Sequence, residues 1–387
     1  MKVASSMARL GTETAFEVLV RAKELEAQGR SVIHLEIGEP DFDTPNNIRE
    51  AAKAALDAGY THYGPAAGLP VLRQAIAEEI TQTRGVEVGS DNVVVTPGGK
   101  PIIFFSLLAC VNPGDEVIYP NPGFPIYESV INWMDAKAVP LPIREENDFS
   151  VDVDELSELI TPKTTFMILN SPANPTGGLI THDQMARIAE LVARHDMMVL
   201  ADEIYSRIVY DGEHISLLSF PGMQEKVILL DGFSKTYAMT GWRAGYGIMP
   251  EELAFWVARL MTNSNSCTNS FVQMACVEAL KGSQDESRAM DEEFRRRRDV
   301  IVDGLNAIED ISCRNPKGAF YVFPNIQSLP RSSKELEEYF LEEYGVASLS
   351  GTSFGAYGEG YLRFSYANSV ENIREALERV EDGVSKL

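Results

Sequence analysis

Lys235 and Arg243 share one stretch, Leu229 to Arg243, in which an apolar run breaks into a turn of small residues and Ser234-Lys235 is followed by Gly241-Trp242-Arg243. A lysine amine attacks a carbonyl only when uncharged, and it reaches that state through burial or a neighbouring cation. Arg243 could be that cation, and a guanidinium fork also grips phosphate. The pair therefore suits a ligand that carries both a carbonyl and a phosphate. Asp202 ends a second apolar run, Met197 to Ala201, where a carboxylate is costly unless it faces a cation or a proton donor. Tyr205 follows it. Asn174 lies between prolines in Asn170-Ser171-Pro172-Ala173-Asn174-Pro175-Thr176-Gly177, a tight turn that projects an amide able to hydrogen-bond a phenolate and a carboxylate. Pro97-Gly98-Gly99-Lys100-Pro101 precedes an apolar helical run, so backbone N–H groups there can approach an anion. Arg363 alternates with apolar neighbours in Tyr361 to Tyr366, and an inward guanidinium needs a carboxylate.

In their order along essentially the whole chain, these motifs resemble the class I and II aminotransferases, the fold-type I pyridoxal-phosphate enzymes. The nearest resemblance is to the prokaryotic-type aspartate aminotransferases, a group that includes aromatic, alanine and prephenate transaminases. The resemblance implies that Lys235 holds pyridoxal 5'-phosphate as a Schiff base and shuttles a proton. It implies further that Asp202 faces the pyridinium nitrogen, with Tyr205 and Asn174 near the ring oxygen. Arg243, Ser234 and the Gly98-Gly99-Lys100 turn would hold the phosphate. Phe124 would stack on the ring where many members have tryptophan. Gly38 would lie near the substrate carboxylate, which Arg363 and Asn174 would bind. Tyr63 matches a tyrosine that reaches the phosphate of the partner subunit, implying a homodimer with shared active sites. Lys100 has a second reading, as the group that meets the distal carboxylate of a dicarboxylic substrate; residues 262–270 contain no arginine for that task. Gly232 stands where other members place a phosphate-binding serine. The expected reaction is a ping-pong transfer of an amino group between an L-amino acid and a 2-oxo acid such as 2-oxoglutarate. Aspartate is the first expectation, with aromatic amino acids or alanine next. The same scaffold also serves carbon–sulfur lyases, decarboxylases and oxidases, because cleaving another bond at the α-carbon needs only a reoriented substrate.

These side chains must be positioned by a common frame. Asn174, Asp202 and Lys235 each follow an apolar strand-like run, with helical segments such as Thr181 to His195 intervening. That alternation argues a parallel α/β sheet, which binds ligands off the carboxyl ends of its strands. The resemblance adds a mostly parallel seven-stranded sheet between helices, plus a smaller α/β domain drawn from both termini. The expected division is 1–45 for an N-terminal arm and part of the small domain, 46–283 for the large cofactor-binding domain, and 284–387 for the rest of the small domain. Periodicity predicts strands near 32–37, 92–96, 115–119, 166–169, 197–201, 227–230 and 361–366, and a long charged helix over 284–308. In that helix Arg295 to Arg298 are flanked by Asp291, Glu292, Glu293 and Asp299, which predicts a solvated face with internal ion pairs.

Bulk properties narrow the partners. Of 387 residues, 57 are acidic and 34 basic, for a net charge of -23, so nucleic acid or an anionic membrane surface would be repelled overall. The four cysteines form no C-x-x-C pair and the five histidines no spaced cluster. Neither a metal site nor a disulfide framework is expected, and a reducing, cytoplasmic setting fits. The polar N-terminus lacks a signal-peptide core, and the longest apolar stretch, Ile102 to Val111, is too short to span a bilayer.

Overall fold

The computed structural model describes residues 2–387; Met1, with which the expected N-terminal arm begins, lies outside them. A two-residue strand, β1 (Ile33–His34), comes first. Then β2 (Val93–Thr96), β3 (Glu116–Asn121), β4 (Lys137–Pro142), β5 (Thr164–Asn170), β6 (Met198–Asp202), β7 (Val227–Gly232) and β8 (Gly245–Ile248) form one seven-stranded sheet in the order β2-β8-β7-β6-β5-β3-β4. Every neighbouring pair is parallel except those of β8, which runs antiparallel to β2 and β7.

Strands covered on both faces read as continuous apolar runs. Phe166 to Leu169, Val199 to Ala201 and Val227 to Leu230 are buried at every position. Successive side chains alternate between faces: Phe166, Ile168, Leu200 and Ile228 pack into one core, Met167, Leu169, Val199 and Leu229 into the other. Helices Lys100–Cys110, Ile126–Trp133, Val153–Leu159 and His182–Arg194 make the crossovers. The last of these starts at a capping box, in which the Gln184 N–H donates to Thr181 Oγ1 and the Thr181 N–H to Gln184 Oε1.

A third core gathers Ile33, Leu35, Phe294, Phe320, Leu336 and Phe364. It lies beneath β9 (Tyr321–Val322), β10 (Val346–Ala347), β11 (Leu349–Ser350) and β12 (Leu362–Ser365). β1 pairs with β10, and β12 is the middle strand between β11 and β9. The strand predicted over 32–37 is shorter because its backbone changes partner: the Leu35 N–H donates to Ala347 O at 3.0 Å, while Leu35 O accepts from Ser365 N at 2.7 Å. β4 and β8 are not foreshadowed by pattern. β4 carries Pro140 and Pro142 and is tolerated as an edge strand. β8 contains Gly245, where a Cβ would come within 2.6 Å of the Gly98 backbone, and Gly247, where it would meet the Met249 and Ile102 side chains, so glycines interrupt the apolar run that Tyr246 and Ile248 would otherwise make.

The arginine run is not a solvated face throughout. Arg297 and Arg298 are buried; Arg297 Nη1 donates to Asp41 Oδ1 at 2.6 Å, and Arg298 reaches Asp211. Arg295 and Arg296 alone of the four face solvent. The expected internal pairs do form, Glu293 with Arg296 and Arg297 and Asp299 with Arg298, but Asp41 and Asp211 lie far away in sequence, where local charge pattern cannot see them.

Glu203, buried beneath the end of β6, anchors a second ion cluster. Arg84 Nε is 3.0 Å from Glu203 Oε2 and His214 Nε2 2.9 Å, and Ser216 Oγ donates to Oε1 at 2.5 Å. Burial alone would raise this carboxyl's pKa, but His214 and Arg84 outweigh it and hold the group at about 2. The depressed pKa stabilises the fold at neutral pH, and that contribution is lost as pH falls through the acid range toward 2. Glu203→Ala leaves buried Arg84 with only the longer 3.7 Å pair to Asp231 and is expected to cost about 3 kcal/mol, read as a lower urea midpoint at pH 7.

Candidate active site

Parallel strands present their carboxyl ends on one edge, and the chemistry gathers there. Asn170 ends β5, Asp202 ends β6, and Lys235 follows the end of β7; Asn170 and Asp202 stand opposite each other in register. A cavity of about 560 Å³ opens on this edge. Its wall includes Gly38, Gly99, Lys100, Phe124, Asn174, Asp202, Tyr205, Ser234, Lys235, Arg243 and Arg363. Of the residues singled out from sequence, Gly98 sits directly behind Gly99, and Tyr63 lies outside the cavity, 89% exposed.

Asp202 and Glu203 point to opposite sides, as consecutive strand residues do. Glu203 enters the Arg84 cluster, whereas Asp202 faces the cavity. Tyr127 OH donates to Asp202 Oδ2 at 2.5 Å, and the Ile204 N–H reaches Oδ1 at 3.3 Å. Among the described residues no cation pairs with this carboxylate. Burial lifts its pKa to about 6, against the opposing Tyr127 hydrogen bond. A buried carboxyl of this kind is matched by a protonated nitrogen brought in with a ligand.

Lys235 Nζ donates to Gly38 O at 2.5 Å and lies 5.9 Å and 5.7 Å from the ring centroids of Tyr205 and Phe320. Its pKa falls to about 8. Burial is the main cause; Glu39 opposes it, and Arg363 lowers the value more than Arg243 does. Of the two expected routes, burial is the larger, and Arg243 adds to it in the expected direction. Arg363 is the stronger of the two cations.

Arg363, on the middle strand β12, is 3% exposed. Its guanidinium donates to Asn174 Oδ1 at 3.3 Å and to Glu36 O, while Nε has no partner. It lies 4.5 Å from the Tyr321 ring centroid and 5.0 Å from that of Phe354. None of the described carboxylates forms an ion pair with it. Asn170 ties the strand ends together, accepting from the Asn174 N–H at 2.8 Å and donating to Asp202 O at 3.0 Å. Tyr205 and Tyr321 share a 2.7 Å hydroxyl hydrogen bond, and burial keeps both phenols protonated.

At the other end of the cavity Gly98 holds a φ of +89°, and a Cβ there would strike the Arg243 guanidinium. Only glycine allows that turn and that approach. Arg243 Nη1 donates to Thr240 O at 2.8 Å, and the residue is exposed, with no carboxylate partner among the described residues. The N-terminus of helix Lys100–Cys110 begins beside this turn, so a guanidinium and free N–H groups favour an anion there. Lys100 Nζ pairs with Glu13 and lies 5.6 Å from the Phe124 ring centroid.

An unpaired buried carboxyl, an amine near neutrality and a glycine turn against a free guanidinium fit the ring nitrogen, aldehyde and phosphate of pyridoxal phosphate. Tyr127, Asn170, Tyr321 and Glu13 belong to the cavity without having been singled out. Tyr127 lies just beyond Phe124 and Tyr321 within the aromatic run Phe320 to Phe323, so both carried a local signal; Glu13 carried none.

Fold and site together define an enzyme that works on amino acids through this cofactor. The profile of the class I and II aminotransferases matches residues 30–380, and the chain belongs to that family, whose members use pyridoxal phosphate. It is 41% identical over 369 residues to the aspartate aminotransferase of Pyrococcus horikoshii, covering 94% of this chain and 93% of that one. It is also 41% identical to aromatic-amino-acid aminotransferase 2 of Thermococcus litoralis, over 92% of each chain. The structure of the aspartate aminotransferase from Rhizobium meliloti superposes with a TM-score of 0.95 at 35% identity, covering 100% of both chains. Among the described residues no cluster of metal-ligating side chains occurs, and no helix is long and apolar enough to cross a membrane.

Proposed function

We propose that this aminotransferase moves the amino group of an L-amino acid, aspartate first, to a 2-oxo acid such as 2-oxoglutarate by a ping-pong cycle. The observation that carries the assignment is Arg363, a buried guanidinium without a carboxylate, facing the same cavity as Lys235 and Asp202.

Bound pyridoxal phosphate supplies an aldehyde and an electron-accepting ring. Asp202 holds the proton on the ring nitrogen, and Tyr127 fixes the carboxylate that does so. Lys235 Nζ, uncharged, would take the proton from the substrate α-carbon and hold it for return. Arg363 and Asn174 orient the α-carboxylate beside the Gly38 backbone. The Gly98-Gly99-Lys100 turn, Ser234 and Arg243 would hold the phosphate, Phe124 would cover the ring, and Tyr205, backed by Tyr321, would serve the ring oxygen. Exposed on its own chain, Tyr63 reaches the cavity of a second copy, giving a homodimer with shared sites. Residues 46–283 form the cofactor-binding domain, and 1–45 with 284–387 the smaller one. Four free thiols suit a cytoplasmic setting.

Lysine cannot reproduce the planar fork of arginine. Arg363→Lys is expected to raise KM for every amino acid about 100-fold, measured by initial rates. Lys100 meets the distal carboxylate, a reading supported by its place at the cavity wall against a carboxylate already there. A panel of amino and 2-oxo acids on the cofactor-loaded protein tests the assignment. Keto acid that forms only when a second 2-oxo acid is supplied marks transamination; pyruvate with ammonia rejects it. In the same panel Lys100→Ala should lower kcat/KM for aspartate relative to alanine or phenylalanine about tenfold. An unchanged ratio removes the dicarboxylate reading.

A further inference from the structure

The segment that opens helix Ala15–Ala27 overhangs the cavity, with Glu13, Thr14, Ala15 and Phe16 in its wall. The Glu13 carboxylate is 16% exposed and accepts a hydrogen bond from Lys100 Nζ, a side chain that is 42% exposed. Thr14 Oγ1 beside it is buried without a partner. The two cations that could take carboxylates of a substrate thus differ. Arg363 has none from the chain, whereas Lys100 already holds one.

We propose that Glu13 determines side-chain specificity by standing in at Lys100 for the distal carboxylate of a substrate. It stays in place when the substrate side chain is neutral and is displaced when a dicarboxylate arrives. The inference rests on the transaminase reading above. An ammonium left alone against an apolar side chain would be desolvated without compensation, and Glu13 removes that penalty. A distal carboxylate at Lys100 would instead meet Glu13 as a like charge, so one of the two must leave. A ping-pong enzyme admits two substrates in turn through one cavity. A built-in counter-carboxylate lets that cavity accept one acidic and one neutral side chain without a second pocket.

The test compares binding of succinate and 3-phenylpropionate to cofactor-loaded wild type, Glu13→Gln and Glu13→Asp by titration calorimetry. Glu13→Gln should shift the ratio of the two dissociation constants about tenfold in favour of succinate. Glu13→Asp, whose shorter side chain retreats from Lys100, should shift it in the same direction by less, and it guards against a folding defect in the first variant. On a Lys100→Gln background the Glu13→Gln shift should vanish. A ratio that stays constant, or that moves toward 3-phenylpropionate, overturns the proposal. Wild-type protein that transfers no amino group between any amino acid and any 2-oxo acid overturns the transaminase reading instead, a result independent of the binding ratio.

Discussion

Lys235→Ala is expected to lower transamination about 10⁴-fold or more and to remove the borohydride-trapped pyridoxal label from the protein. In the proposed function two tasks rest on this amine: covalent capture of an aldehyde and movement of the α-carbon proton. No neighbour can assume either, because Arg243 and Arg363 present guanidinium forks rather than amines and Lys100 is engaged by Glu13. Burial, which brings Lys235 to about 8, sets the pH dependence. Capture requires the neutral amine, so trapping on ligand-free protein should rise with pH around a midpoint near 8, well below that of an ordinary lysine. The same shift acts on folding. The unfolded chain binds a proton between pH 8 and 10.5 that the folded chain releases, so stability of the ligand-free protein rises through that window. Peptide mapping that finds the trapped label on another side chain, or an alanine variant with more than about 1% of wild-type activity, would reject the assignment.

How far this site was legible follows from the range over which its parts communicate. Lys235, Asp202 and Asn174 each sit where an apolar strand ends in polar residues, a local pattern, and parallel pairing then brings them to one edge. Position on that edge was therefore implied before any coordinates. Glu13 meets Lys100 through the docking of a terminal segment, and Arg297 is buried because Asp41 lies across from it; neither contact leaves a trace in local spacing. β8 was invisible for a third reason. Gly245 lies against the Gly98 turn and Gly247 against Met249 and Ile102, so a strand with glycine at two of its four positions reads as a loop. The exposed Tyr63 marks the remaining limit, since its expected partner is a second chain.

Asp202→Asn separates catalysis from stability. The substitution preserves shape but cannot carry the charge that keeps a ring nitrogen protonated, and without that proton the ring is a poor electron acceptor. The expected loss in kcat is about 10³-fold, measured as the single-turnover half-reaction with an amino acid. Stability should move the other way. In the ligand-free protein Asp202 has a raised pKa of about 6, so burial of its charged form is unfavourable. By linkage, stability from this group is greatest below the ordinary aspartate range and falls as pH rises through 6. An amide escapes that penalty and can still accept the Tyr127 hydrogen bond, so the ligand-free Asn variant should unfold at a higher urea concentration than wild type at pH 8. Tyr127→Phe makes the complementary case: it removes a donor from a carboxylate that has no cation beside it, which should raise the Asp202 pKa further and lower kcat about tenfold. A variant that loses activity and stability together would mean that Asp202 serves the fold. Loss of activity with a gain in stability means that the fold carries this buried carboxyl for the cofactor.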